Sequence, residues 1–329
     1  MRVASARACS GKTAPGSPTT TCADRRRSRV LCVGIAVLDE VFRLDDFPAS
    51  DTKVEAAEFQ AVGGGCAANA AVAIARLGGE ACFAGPLGGP AGQESIGDRI
   101  LAGLKREDVD CAGCVRLDGV ASGISAIFVN QRGERTIVTH RSSRLDAVTP
   151  RDADELVVGA DAVLADNRFP AFSLPICRAA LRRGIPVVLD ADRPASPEEP
   201  LFAACSHVVF SADGLRATMA TDDLAAALRQ FGHATKAFLA VTDGANPVRW
   251  RDDRGAICEM PVFRVTAVDT LAAGDVFHGA FTLALVEGKD AAAAMRFAAA
   301  AAGVKCTRFG GSATAPLRAE AEALLAQAG

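Results

Sequence analysis

Four short apolar runs, Ala162-Val163-Leu164-Ala165, Pro186-Val187-Val188-Leu189-Asp190, Val208-Val209-Phe210 and Ala237-Phe238-Leu239-Ala240-Val241, punctuate the middle of this chain. Between them lie amphipathic segments that suit helices, notably 173–183 and 222–231. Strands without polar alternation belong to a sheet covered on both faces, and helices between them imply parallel βαβ units with right-handed crossovers. The expected fold is therefore α/β, a doubly wound, mostly parallel sheet. Working outward, the first strand candidate is Val30-Leu31-Cys32-Val33-Gly34-Ile35, directly after an Arg-rich segment. Residues 1–28 are thus expected to be a disordered tail and 29–329 the folded domain. Residues 41–62 and 122–140 alternate polar and apolar positions, the second pair turning at Asn130-Gln131-Arg132-Gly133. They read as antiparallel strands with one wet face, a small β lid on the main sheet.

The 329 residues suit one large core with an appended element, and a composition half hydrophobic and 23% charged is that of a globular protein. A net charge of -3 with no long basic run gives no footprint for nucleic acid or an anionic membrane. No apolar run spans a bilayer, since Arg296 interrupts the Ala-rich 291–304 stretch. The partner expected is a small molecule. The 11 cysteines are odd in number and scattered, several within apolar runs, which fits reduced thiols in the cytoplasm. Cys111 and Cys114 form a lone CxxC without the further ligands a structural zinc needs. The first 28 residues lack the apolar core of a secretory signal, although their Ser, Thr and Arg bias also suits a transit peptide.

Two segments carry chemistry. Ala67 to Leu77 forms a helix that opens after Gly63-Gly64-Gly65 and closes at Gly78-Gly79. Val268-Asp269-Thr270-Leu271-Ala272-Ala273-Gly274-Asp275-Val276-Phe277-His278-Gly279-Ala280-Phe281 leads into a second, apolar helix. Small residues Ala272, Ala273 and Gly274 at a helix start let backbone N–H groups approach a ligand where phosphoryl charge develops, an anion hole. Asp275 at the same point is either a base for a hydroxyl directed at the γ-phosphate or an ordinary N-terminal helix carboxylate. Thr242-Asp243-Gly244 follows an apolar strand at the edge where open sheets bind ligands, or is a plain Asp-Gly turn.

Asp-Thr-x-(Gly/Ala)-Ala-Gly-Asp followed by Phe-x-Gly-Ala resembles the C-terminal signature of the ribokinase/PfkB carbohydrate kinases. Gly64-Gly65-Cys66-Ala67-Ala68-Asn69 resembles their N-terminal signature. The resemblance spans about residues 29–326, including Gly34-x-x-x-x-Asp39, Gly133-Glu134-Arg135 and Cys306-Thr307-Arg308-Phe309-Gly310-Gly311. It implies a ribokinase-like fold and an ATP-dependent transfer of phosphate to a sugar hydroxyl. Asp39, Gly64, Gly65 and Asn69 are then implied to hold the sugar, Asp275 to be the base, and Ala272 to Gly274 to hold phosphoryl oxygens. Thr242, Asp243 and Gly244 are implied to meet the nucleotide. Asp269 with the 306–312 loop resembles an element that binds a monovalent cation such as K+ in some members. Where the family often has Asn-x-x-Glu acting on Mg2+, this chain has Ser211-Ala212-Asp213-Gly214, so Ser211 and Asp213 are the candidates there and magnesium handling departs from the pattern.

The motifs stand nearest to ribokinase and to sulfofructose kinase. In the latter a lysine, an asparagine and an arginine grip a sulfonate; Lys53 and Arg168 match two of them, and Thr139 stands where the asparagine is expected. Lys53 and Arg168 suit an acidic sugar, whereas Asn69 suits a neutral one. A nicotinamide dehydrogenase is disfavoured because Val33-Gly34-Ile35-Ala36-Val37-Leu38 lacks the Gly-x-Gly-x-x-Gly turn. The rival from another class is a sugar-binding regulatory protein with weak catalysis on the same fold. Exposed lid edges suggest pairing of two lids into a homodimer.

Overall fold

In the computed structural model, which describes residues 26–327, the apolar runs become the middle of an eight-stranded sheet. The chain begins with β1 (Arg29–Val33), leaves for β2 (Val37–Arg43) and β3 (Glu58–Gly64), and returns through α1 (Cys66–Arg76) to β4 (Glu80–Ala84). An excursion follows through β5 (Pro86–Gly89), α2 (Ser95–Arg106), β6 (Val115–Asp118), β7 (Gly123–Val129) and β8 (Arg135–His140). The alternating middle is α3 (Ala153–Leu156), β9 (Ala162–Asp166), α4 (Pro170–Arg182), β10 (Val187–Ala191), α5 (Pro200–Ala203), β11 (His207–Ser211), α6 (Ala212–Met219), α7 (Leu224–Phe231) and β12 (Phe238–Asp243). A hairpin then supplies β13 (Asn246–Arg251) and β14 (Ile257–Met260), followed by α8 (Ala273–Val286), α9 (Ala291–Cys306) and α10 (Arg318–Ala326).

The main sheet has the order β14-β13-β12-β11-β10-β9-β1-β4, parallel from β12 through β4 and antiparallel at β13 and β14. Successive strand residues face opposite sides, and both sides are apolar here. Cys32, Leu164, Val188 and Val209 pack with residues of α1, α8 and α9, while Val33, Val163, Leu189 and Val208 pack with residues of α4 and α7. That two-sided burial is why these strands read as continuous apolar runs, and the doubly wound expectation is met.

The lid is a second sheet of order β3-β2-β7-β8. Its β7 to β8 hairpin turns at 130–133 as expected, but β2 and β7 run parallel, with Leu38 opposite Ile124. The expected span 41–62 also starts late. Val37, Leu38 and Asp39 are all buried, so the first half of β2 shows no alternation to read. Val41, Ile127 and Val129 on the lid's inner side form a small core with Leu271, against which Val62 and Phe309 pack. The lid therefore sits on the turn that precedes α8. Helix α6 was not expected. Its first turn is the polar Ser211-Ala212-Asp213-Gly214, and the Ser211 hydroxyl caps it by accepting from Gly214 N at 3.0 Å. The tail expected over 1–28 lies outside the described residues except for 26–28, where Arg26 pairs with Asp161 at 2.6 Å.

Candidate active site

The site is built at the C-terminal edge of β1, β9 and β10, where α1 and α8 begin. Asp166, the last residue of β9 and fully buried, ties these ends together. Its carboxylate accepts from Ile35 N at 2.8 Å, Ala67 N at 3.2 Å and Arg168 N at 3.0 Å. Gly65 caps α1 with φ 96, and a Cβ there would lie 2.5 Å from the Ile35 carbonyl oxygen, so only glycine fits.

Helices α1 and α8 cross closely because Gly279 carries no side chain; a Cβ there would lie 2.7 Å from the Ala70 carbonyl oxygen. The close crossing brings Asn69 Nδ2 within 2.7 Å of Asp275 Oδ2. Asn69 Oδ1 is buried with no hydrogen-bond partner among the described residues. Gly64 lies against the Asp39 carboxylate, where a Cβ would clash. The Ser125 hydroxyl bonds Asp39 in turn and lies 3.1 Å from that of Thr139. Asp39, Gly64, Gly65, Asn69 and Asp275 are thus gathered around one place, and Gly64 and Asn69 also line a cavity of about 310 Å³.

Ala272 enters α8 in the left-handed conformation, φ 62, which is uncommon for a residue with a Cβ and strained. The turn is closed by Ala273 N donating to Thr270 O at 3.2 Å and by Leu271 N donating to Asp269 Oδ1 at 2.8 Å. Gly274 is exposed and has open space beside its Cα, so a ligand can approach the backbone there. The His278 ring bridges Gly274 O at 2.7 Å and Val209 O at 3.2 Å, pinning this first turn to β11.

Carboxylates crowd the site. Burial is the main cause that pushes Asp275 up to about 7, with Asp192 and Asp39 adding repulsion and Asn69 pulling down. Burial also raises Asp39 and Asp166 to about 6 each, and Asp190 well above the ordinary range. Asp190 is a site residue that sequence reading missed. It lies in register with Asp166 on the neighbouring strand, and acids ending consecutive parallel strands were the available signal. Cys66, Asp190 and Asp275 place a thiol and two carboxylates within 4.8 Å of one another.

The acidic-sugar grip expected of Lys53, Thr139 and Arg168 is not what the geometry favours. Arg168 is committed to Asp192, with Nε 3.1 Å from Oδ1 and a second nitrogen on Oδ2. Lys53 is exposed in the connection between β2 and β3, and Thr139 reaches Asp39 only through Ser125. Asp269 likewise faces no open cation pocket, since its carboxylate accepts from Lys305 Nζ at 3.0 Å.

Farther along the same edge, Ser211 and Thr242 are paired in register on β11 and β12. Asp243 and Gly244 begin the tight turn into β13, Gly244 having φ 57. Asp243 bonds Arg216 at 3.5 Å and Asn246 at 3.2 Å, and with Arg216 and Arg249 it lines a polar cavity of about 300 Å³. Magnesium takes hard oxygen ligands in a near-octahedral shell. Asp213 is no part of an enclosed oxygen shell, since its side chain is 98% exposed and pairs with Arg216. The Cys66, Asp190 and Asp275 group has a soft sulfur donor, so neither place is a magnesium cage, and any magnesium would belong to the nucleotide substrate.

A family model described as pfkB family carbohydrate kinase matches residues 27–318. Ribokinase from Bacillus subtilis (strain 168) is similar, with 32% identity over 304 residues that cover 90% of this chain and 99% of that one. Fructokinase-1 of Zea mays is 28% identical over 307 residues, covering 83% of this chain and 91% of its own. A solved structure of an Agrobacterium tumefaciens protein has a TM-score of 0.86 and 36% identity, covering 92% of this chain and 98% of its own.

Proposed function

This chain belongs to the pfkB family of carbohydrate kinases, and we propose that, as an ATP-dependent sugar kinase, it uses Asp275 as the base that readies a hydroxyl of a neutral sugar. One observation carries the reading. Asp275 stands at the start of α8 beside the exposed Gly274 backbone, held by Asn69, with its carboxyl near neutrality. A base poised near working pH combines a useful ionised fraction with real proton affinity.

In this scheme Asp39, Gly64, Gly65 and Asn69 hold the sugar, and the orphan Asn69 Oδ1 accepts from one of its hydroxyls. The nucleotide lies along the β11 and β12 ends, by Ser211 and Thr242 to Gly244. The sugar oxygen attacks the γ-phosphorus, Asp275 takes its proton, the bond from that phosphorus to the β–γ bridging oxygen breaks to release ADP, and the 272–274 backbone faces the charge that develops on phosphoryl oxygens. The lid excludes water that would otherwise accept the phosphoryl group. A neutral ribose-like or ketose sugar is favoured because Asp39, Asp166, Asp190 and Asp192 gather around Asp275 while Arg168 beside them is already paired. The rest of the reading is a domain from residue 29 onward and a cytoplasmic homodimer joined through the lids, whose β8 exposes Ile137 at 45% and Val138 at 62%. No described helix is long and apolar enough to cross a membrane.

Coupled ADP-release assays against neutral sugars, sugar phosphates, sugar acids and sulfofructose test the substrate class. The expected result is selective turnover of a neutral sugar. Selective turnover of an anionic sugar would overturn the neutral reading and return Arg168 to anion binding, and sugar binding without any turnover would make the chain a regulator. The pH profile is a second test. Because ionised Asp275 is the active form, kcat/KM rises with pH to a plateau above about 7 and falls roughly tenfold per unit well below it. A flat profile from pH 5.5 to 8.5 would exclude a base of this kind.

A further inference from the structure

The structure assigns Lys305 as a tethered cation that positions the turn ahead of the anion hole, so that this kinase carries in its own chain the charge a free monovalent ion would otherwise supply. Lys305 lies in the last turn of α9 and is 0% exposed. Its ammonium donates to Asp269 O at 3.1 Å, Asp269 Oδ2 at 3.0 Å and Arg308 O at 3.1 Å. Three donors meet three oxygens, one carboxylate and two backbone carbonyls, which satisfies the group completely. Three hydrogen-bonded oxygens suit an ammonium group, and carboxylate and carbonyl oxygens are also the kind of ligand that a bare potassium ion takes.

The partner carboxylate continues the network. Asp269 also accepts from Leu271 N at 2.8 Å, Gly310 N at 3.1 Å and Gly311 N at 3.4 Å, while Val268 N and Asp269 N donate to Cys306 O. Segments 268–271 and 306–311 are knitted through this one buried ion pair, and Leu271 directly precedes the strained Ala272. Lys305 therefore acts through the backbone it holds. Stability alone does not call for the pair, since well-packed apolar side chains of the same volume are often as stabilising as a buried salt bridge. A positive charge fixed behind the phosphoryl-binding turn does favour the negative charge that gathers in front of it.

The catalytic half of the inference rests on the kinase reading; the cation half does not. Wild type, Lys305→Ala and Lys305→Met are compared in equal concentrations of potassium, ammonium, sodium and choline chloride. Wild-type turnover and melting temperature are expected to be the same in all four salts. Lys305→Ala in choline loses roughly tenfold in kcat at unchanged sugar KM, the scale on which outer supporting contacts act. It also melts lower, and potassium or ammonium restores both quantities. Lys305→Met keeps the volume without the charge, so it folds, loses kcat similarly and is not restored by any salt. The proposal is overturned if potassium raises wild-type turnover several-fold over choline, if the Met variant keeps full kcat, or if no cation raises the melting temperature of the Ala variant. Should wild type turn over no sugar at all, the kinase reading fails, and the melting temperatures still decide whether Lys305 occupies a cation site.

Discussion

Asp275→Asn lowers kcat by at least about a hundredfold, the usual scale for a positioned base, while sugar affinity stays near wild type. The side chain keeps its shape, and the new amide oxygen accepts from Asn69 Nδ2 as the carboxylate did, which leaves Asn69 Oδ1 facing the sugar. Only the proton acceptor is lost. The same substitution raises thermal stability at pH 8. Burial lifts the folded-state pKa of Asp275 from 3.8 to about 7, so the folded protein holds its proton more tightly than the unfolded chain does. The wild type accordingly loses stability as pH climbs through the window from about 4 to about 7, and the cost is fully developed above it. The amide carries no such cost, so melting curves of the two proteins separate at pH 8 and converge near pH 4. Near-wild-type turnover in the variant would remove Asp275 from the role of base.

Asp166→Ala attacks the frame instead of the chemistry. It orphans the N–H groups of Ile35, Ala67 and Arg168, two of these bonds being fully buried, and opens a cavity at the junction of β1, α1 and β9. An unsatisfied buried donor costs about 1–3 kcal/mol. The two fully buried donors together with the partly buried third outweigh what is recovered by deleting a carboxylate whose burial raises its pKa to about 6. That recovery shrinks as pH falls toward 4, so the loss is best measured near pH 5. The expected result is a melting temperature lower by roughly 5–10 °C, with Asp166→Asn falling between the variant and wild type. Because the same bonds set the start of α1, the sugar KM also rises. A melt within 1–2 °C of wild type, on the roughly 2–4 °C per kcal/mol scale of larger domains, would show that the three bonds do not hold the edge together.

The main sheet was legible because its strands are buried on both faces and so carry an unbroken apolar signal. Its antiparallel edge was not, since β13 and β14 hold Arg249, Trp250, Arg251 and Glu259, which look like any polar hairpin. The lid was legible in β7, where one face is wet, and illegible in the first half of β2, where both faces are covered. In the candidate site, the residues placed by a glycine or a helix start could be picked out from the sequence. Those that matter through a tertiary partner could not. Asp190 shows its place only when the strands are laid in register, Arg168 looks like a free cation until Asp192 comes opposite it, and Asp269 looks like a metal ligand until Lys305 folds back onto it.

Leu271 belongs at once to the small core under the lid and to the turn that opens α8, and Arg135 on β8 reaches Thr270 in the same turn at 2.5 Å. The lid is consequently not a detachable module. A chimera that borrowed the lid strands of a relative in order to change sugar preference would inherit a mismatch at the turn that opens α8 unless residues 270 and 271 travelled with them. The structural unit here is discontinuous: two hairpin segments from the first half of the sequence and a two-residue turn from the last quarter, which have to be exchanged together.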